Sequence, residues 1–209
     1  MNIFTEILIL FSISYFIGSI PFGLILTNLW GYGDIRKIGS GNIGATNALR
    51  TGNKILALLV LLLDAFKSLF LIILFKYLEL TNDSATYLFI LLSGSIIGHC
   101  FPIWLKFKGG KGIATMLGGL IGINFSIGFL VCLIWVIIAF ITRRSSLSSI
   151  LSISFLPIIS FIFYGHMEFL LSFFLLGIIC FRHKENIFRL VKGCLLYTSD
   201  AADEGLGVD

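Results

Sequence analysis

Glycines at 39, 41 and 44 alternate with Ser40, Asn42, Thr46 and Asn47, and Arg50 follows three residues later. Glycine permits backbone angles and close approaches from which successive amides can point at one anion, and the hydroxyls and carboxamides add neutral donors. Arg50 is suited to clamp a phosphate with two parallel hydrogen bonds. A second stretch, Lys108, Gly109, Gly110, Lys111 and Gly112, holds a lysine in a glycine turn that opens a helix, and helix N-terminal amides also favour an anion. It lacks the Gly-x4-Gly-Lys-Ser/Thr spacing of a nucleotide-binding loop. In a third stretch His183 and Asn186 lie three residues apart between Arg182 and Arg189, so on a helix they share a face. His183 can donate to phosphate or relay a proton. Arg143, Arg144, Ser145 and Ser146 add hydroxyls and a candidate helix cap. Taken singly, each stretch has a plainer reading: a flexible turn, a lysine snorkelling to an interface, a basic stop-transfer end. Together they point to phosphate binding, although a stop-transfer end leaves His183 and Asn186 unexplained.

The elements that must position these groups are apolar. Of 209 residues, 57% are hydrophobic and 12% charged, which leaves too little polar surface for a soluble domain. Apolar runs cover about 3–29, 55–75, 85–105, 113–141, 147–164 and 167–181, and crossing the hydrocarbon takes roughly 20 residues. The chain is expected to be an all-α polytopic membrane protein. The first run carries Glu6 instead of a basic flank and outlasts a signal core, so it is expected to be retained.

Thirteen of the fifteen basic residues fall in four clusters: Arg36 to Lys54, Lys106 to Lys111, Arg143 with Arg144, and Arg182 to Lys192. The positive-inside rule puts all four on the cytoplasmic side, leaving the turns near Glu79, Asp83 and Glu168 outside. Lys111 and Arg143 then share a side, so the run 113–141 must cross twice. A break near Gly122-Ile-Asn124, with a tilted or incomplete first half, brings the expected count to seven helices with the N-terminus outside and the C-terminus cytoplasmic. Gly94 with Gly98 and Gly118 with Gly122 offer small faces for close helix packing. Pro21, between Gly18 and Gly23, should kink or loosen the first helix.

Asp64 and Lys67 lie one turn apart within an apolar run, where ionisable groups are costly, and are expected to pair. His99 is expected to orient a loop and His166 to be solvated. Cys100, Cys132, Cys180 and Cys194 show no paired spacing, so neither a disulfide framework nor a metal site is implied. Residues 194–209 are acidic and unperiodic, unlike the basic end before them, and resemble adapter or vector read-through. Residues 1–193 are expected to form one transmembrane domain.

In their order, these stretches resemble the bacterial acyl-phosphate:glycerol-3-phosphate acyltransferase family. Gly-Ser-Gly-Asn-x-Gly-Ala-Thr-Asn-x-x-Arg, Gly98-His-x-Phe-Pro with Gly-Gly-Lys-Gly, and Arg-His-x-x-Asn-Ile-x-Arg-Leu carry the resemblance over roughly residues 8–193. It implies seven helices whose cytoplasmic loops take two phosphorylated substrates, with Ser40, Arg50, Lys111, Ser146, His183 and Asn186 at the family's phosphate- and glycerol-binding positions. It implies an enzyme of the bacterial plasma membrane, with its site facing the cytoplasm and with no cofactor or nucleic acid partner. Two departures stand out: Ser68 follows Lys67 where the family usually has glycine, and the chain changes character after Gly193.

Acyl phosphate is already an activated anhydride, and the chain offers no convincing Ser-His-Asp or Cys-His relay. The expectation is direct transfer to glycerol 3-phosphate. Arg50 and Lys111 neutralise phosphate, His183 and Asn186 position the acceptor, and the resemblance implies that the donor's own phosphate takes the proton. An anion transporter is the alternative. Such sites usually sit near the midplane between repeats, whereas these groups cluster at one face with no internal repeat.

Overall fold

The computed structural model describes residues 2–80 and 84–192, and the regular structure within them is helical throughout. The helices are α1 (Ile3–Gly18), α2 (Phe22–Leu29), α3 (Ala45–Ala48), α4 (Lys54–Tyr77), α5 (Ala85–Cys100), α6 (Ile113–Ile123), α7 (Phe125–Thr142), α8 (Ser145–Ser154), α9 (Leu156–Phe163), α10 (His166–Arg182) and α11 (Lys184–Val191). Asp83, Gly193, Cys194 and the tail 194–209 lie outside the described residues.

Asparagines open three of the apolar helices. Asn2 accepts the Phe4 amide at 3.2 Å, Asn53 the Leu56 amide at 3.0 Å and Asn124 the Ile127 amide at 3.2 Å, each satisfying a first-turn N–H that has no helical partner. Asn124 also ends α6, so the apolar run 113–141 breaks where the sequence suggested. At eleven residues, α6 spans only about 16 Å, half of the hydrocarbon. Lys76, at the far end of α4, reaches the Gly122 and Ile123 carbonyls at 3.4 Å and closes its C-terminus.

Pro21 interrupts the first span between Gly18 and Phe22. Backbone groups freed inside a bilayer must find new partners. Here the Trp104 indole N–H donates to the Ser19 carbonyl at 3.1 Å and to its hydroxyl at 2.7 Å, while the Lys67 ammonium donates to the Ile20 carbonyl at 3.3 Å.

Central α5 buries Phe89, Leu91, Leu92 and Ile96 against Leu71 and Ile72 of α4, Met116 and Leu120 of α6, and Leu175 and Ile179 of α10. Gly94 and Gly98 lie directly on α1, and Gly118 and Gly122 on α4, so the small faces are where helices meet. Among the described residues, five stretches are long and apolar enough to cross a membrane: Ile3–Leu29, Lys54–Tyr77, Ala85–Leu105, Phe125–Thr142 and Ser145–Phe163. Taking α10 and α11 as one span, bent by 66°, makes six. His166 is exposed, with its ring 5.4 Å from that of Phe161.

Candidate functional site

The first polar stretch is pinned to α4 by a small apolar cluster in which Ile35, Ile43 and Ala48 bury against Leu56, Ala57 and Val60. Burying a side chain such as Ile43 contributes about 1.5–3 kcal/mol. Within the loop, Asn47 is buried and fully engaged: its amide donates to the carbonyls of Ile35 (2.9 Å), Ile38 (3.0 Å) and Asn42 (2.8 Å), and its oxygen accepts from the Ser40 amide (3.0 Å) and hydroxyl (3.2 Å). Expected as a donor to an anion, Asn47 instead shapes the loop that presents Ser40. Asn47→Ala should leave the Asn42 carbonyl without a donor, at about 1–3 kcal/mol when buried, and remove the side-chain ties to the Ile35 and Ile38 carbonyls, which keep the amides of Ile38 and Gly41. The expected result is a rise of at least about tenfold in KM for a phosphorylated substrate, read from steady-state kinetics beside a thermal melt. Gly39 has φ +50° and Arg50 lies across it, where any side chain would collide with the guanidinium. The Arg50 Nε is buried and has no hydrogen-bond partner among the described residues.

The second stretch folds back into the bundle. After α5 the chain makes a 3-10 turn at Ile103–Leu105, passes through left-handed Lys106 and Phe107 (φ 51° and 62°) and returns beside the helix it left. Gly109 donates to the Cys100 carbonyl at 3.1 Å and Gly110 to that of His99 at 3.0 Å. Arg182 holds the other side, its Nε donating to the Gly110 carbonyl at 2.9 Å and its Nη2 to that of Gly109. Lys111 is thereby carried inward, where its ammonium donates to Asn186 Oδ1. Burial pushes Lys111 down from 10.5 to about 8. Glu185 opposes the shift, and Arg182, Arg189 and Arg50 reinforce it.

The third stretch is a corner. At His183 the chain bends by 66° from α10 into α11. The His183 Nδ1 lies 2.8 Å from the Ile179 carbonyl. A carbonyl only accepts, so Nδ1 carries the proton and Nε2 is left as an acceptor. Asn186 sits in the first turn of α11 and Arg189 one turn later. The fourth element, α8, begins at Ser145, and no side chain caps it, so Ser145 and Ser146 are its first residues and not its caps. Trp135 of α7 donates to Ser149 Oγ at 3.1 Å and closes the wall between the two helices.

These elements enclose a cavity of about 420 Å³, within the usual range for a small-molecule site. Ser40, Arg50, Lys111, Ser146, His183 and Asn186 all line it, with Asn42, Gly44, Thr46, Asn47, Gly112 and Ser145. Gly41, Lys108, Gly109 and Gly110 do not. Lys108 points away, exposed, and the two glycines hold the turn. One wall is apolar: Ala57, Leu58, Leu61, Ile113, Ala114 and Trp135. Arg189, Lys54, Asp64 and His99 also reach the cavity. The cost of ionisable groups inside a membrane marked Asp64 in the sequence, but nothing local there joins it to His99. A pocket with cations and neutral donors on one side and aliphatic carbon on the other suits a phosphate bonded close to a hydrocarbon chain.

Comparison with known proteins agrees with this chemistry. A family model described as Glycerol-3-phosphate acyltransferase matches residues 8–193. The glycerol-3-phosphate acyltransferase of Ehrlichia canis (strain Jake) is 46% identical over 195 residues, 92% of this chain and 97% of the relative. That of Nitrobacter winogradskyi is 46% identical over 187 residues, 89% and 93% of the two chains. Two crystal structures of PlsY, an integral membrane glycerol 3-phosphate acyltransferase, superpose well and cover 91% of this chain and 94% of theirs. The glycerol 3-phosphate form gives a TM-score of 0.84 at 32% identity, and the lysophosphatidic acid form 0.80 at 33%.

Proposed function

The chain belongs to the glycerol-3-phosphate acyltransferase family, and from that premise we propose that it transfers a fatty acyl group from acyl phosphate to glycerol 3-phosphate, giving lysophosphatidic acid and inorganic phosphate. The observation that carries this reading is the meeting of Arg50, whose buried Nε is unpartnered among the described residues, with Lys111, His183 and Asn186 beside an apolar wall.

Transfer is direct. Arg50 and Lys111 neutralise the donor phosphate, and Ser40, Ser146 and the uncapped amide ends of α6 and α8 orient it. His183 Nε2, an acceptor, and Asn186 hold the acceptor glycerol phosphate with its hydroxyl facing the carbonyl carbon. The hydroxyl oxygen forms the new ester bond as the carbonyl carbon–phosphate oxygen bond breaks, and the leaving phosphate takes the hydroxyl proton. Alignment of two bound reactants supplies about 7–11 kcal/mol of the barrier. The acyl chain runs along Ala57, Leu58, Leu61 and Trp135 towards the lipid.

The domain is residues 1–193, and 194–209 is a tail extraneous to it. The topology is seven helices, with α6 as a partial span, the N-terminus outside and the C-terminus in the cytoplasm of a bacterial cell. Support comes from the four basic clusters, each of which adjoins or lines the one cavity, so a single membrane face accommodates them all. The protein is proposed to act as a monomer in the bilayer.

Reconstituted in vesicles with acyl phosphate and glycerol 3-phosphate, the protein is expected to form lysophosphatidic acid and phosphate in equal amounts without carrying phosphate across the membrane. Phosphate flux without acylation would overturn the reading in favour of a transporter.

A further inference from the structure

Asp64 and Lys67 pair as the sequence suggests, but they do not form a closed pair. The Lys67 ammonium lies 2.9 Å from Asp64 Oδ1, 2.8 Å from His99 Nδ1 of α5 and 3.3 Å from the Ile20 carbonyl at the break in the first span. His99 Nδ1 is 3.5 Å from Asp64 Oδ1, and all three side chains are at most 5% exposed. An ammonium has only donors, and these three acceptors engage all of them, so Nδ1 of His99 accepts and the ring proton sits on Nε2. That edge rests on Gly110, at which any side chain would overlap the imidazole. Gly110 also donates its amide to the His99 carbonyl and accepts from Arg182, and the next residue is Lys111. Asp64 and His99 both line the cavity.

A buried ion pair is a poor device for stability alone, since an apolar pair of similar volume often stabilises as well or better. We propose that Asp64 and Lys67 are positioning residues for the acyl transfer: they lock His99 in the Nε2–H tautomer, and His99 sets the Gly110–Lys111 turn so that the lysine meets the donor phosphate. The proposal rests on the reaction assigned above. It adds residues of α4 and α5 whose part in the reaction is to act through Lys111.

Three measurements test it. In the parent protein labelled with 15N-histidine, the resonances lost in His99→Gln are expected to report protonated Nε2 and bare Nδ1. A proton on Nδ1 would overturn the proposal whatever the variants do. The neutral double variant Asp64→Leu/Lys67→Met, melting near the parent, is expected to lose about 10- to 100-fold in kcat/KM for acyl phosphate while KM for glycerol 3-phosphate stays within about threefold. If it folds and both constants match the parent, the pair is merely structural. His99→Gln, whose amide N–H stands in for Nε2–H, should restore most of the rate that His99→Phe loses at similar volume, and equal rates for the two would contradict the proposal. Should the parent itself not turn over acyl phosphate, the assigned reaction fails, and the tautomer still reports separately on the network.

Discussion

Arg50→Ala is expected to lower kcat/KM by about 10²–10³ while leaving the protein folded, inserted and monodisperse in detergent. Removing one partner of a desolvated charged contact costs about 2–5 kcal/mol, and each 1.36 kcal/mol is a factor of about ten in rate. The buried Nε of Arg50 has no hydrogen bond to a protein group among the described residues, so the loss should fall on substrate and not on the loop. Asn47 holds that loop without it. Arg50→Lys should recover only part of the rate, because a lysine supplies charge without the planar fork. A rate for Arg50→Ala within about threefold of the parent would remove this residue from the site.

Lys111→Met should be comparably damaging, and the lysine adds a pH signature. Burial holds its folded-state value near 8, well below the ordinary 10.5. Below that value the ammonium is present and can meet a phosphate, and above it the charge is lost. The parent's kcat/KM should therefore decline as pH rises through about 8, the limb belonging to this one group. Lys111→Arg, cationic throughout the range, should start from a lower plateau but lack that limb. An alkaline limb unchanged in Lys111→Arg would assign it to another group.

The cations, amides and hydroxyls were legible in the sequence because their spacing carries their chemistry: Arg50, Lys111, His183 and Asn186 come from three separated stretches and line one cavity. The breaks at Pro21 and Asn124 were legible too, one from a proline between glycines and the other from basic residues at both ends of a single apolar run. Less visible were the roles that depend on a distant partner. Gly109 and Gly110 read as anion-binding amides, yet their N–H groups go to the last turn of α5 and their carbonyls to Arg182. Lys108, two residues from Gly110, is turned outward by left-handed Lys106 and Phe107, a conformation that no residue type there announces. His99 looked like a loop-orienting residue, and its ring does pack on Gly110 of the loop, but the pairing that fixes that ring spans 32 residues of sequence and arises only when α4 and α5 pack. The apolar run containing α6 is too short for two full crossings, and the incomplete first half expected of it is α6, with eleven residues.

The donor is the most direct test of the whole account. If Arg50 and Lys111 grip a phosphate bonded to the acyl carbonyl, purified protein in detergent or lipid should convert acyl phosphate and glycerol 3-phosphate into lysophosphatidic acid with one phosphate released per turnover. It should do so without added metal, nucleotide or carrier protein. Acyl-CoA, whose thioester has no phosphate next to the carbonyl and whose own phosphates lie far along the pantetheine arm, should give little or no product. With each donor supplied separately and both products quantified, turnover with acyl phosphate alone is the predicted result, and equal or faster turnover with acyl-CoA would contradict it.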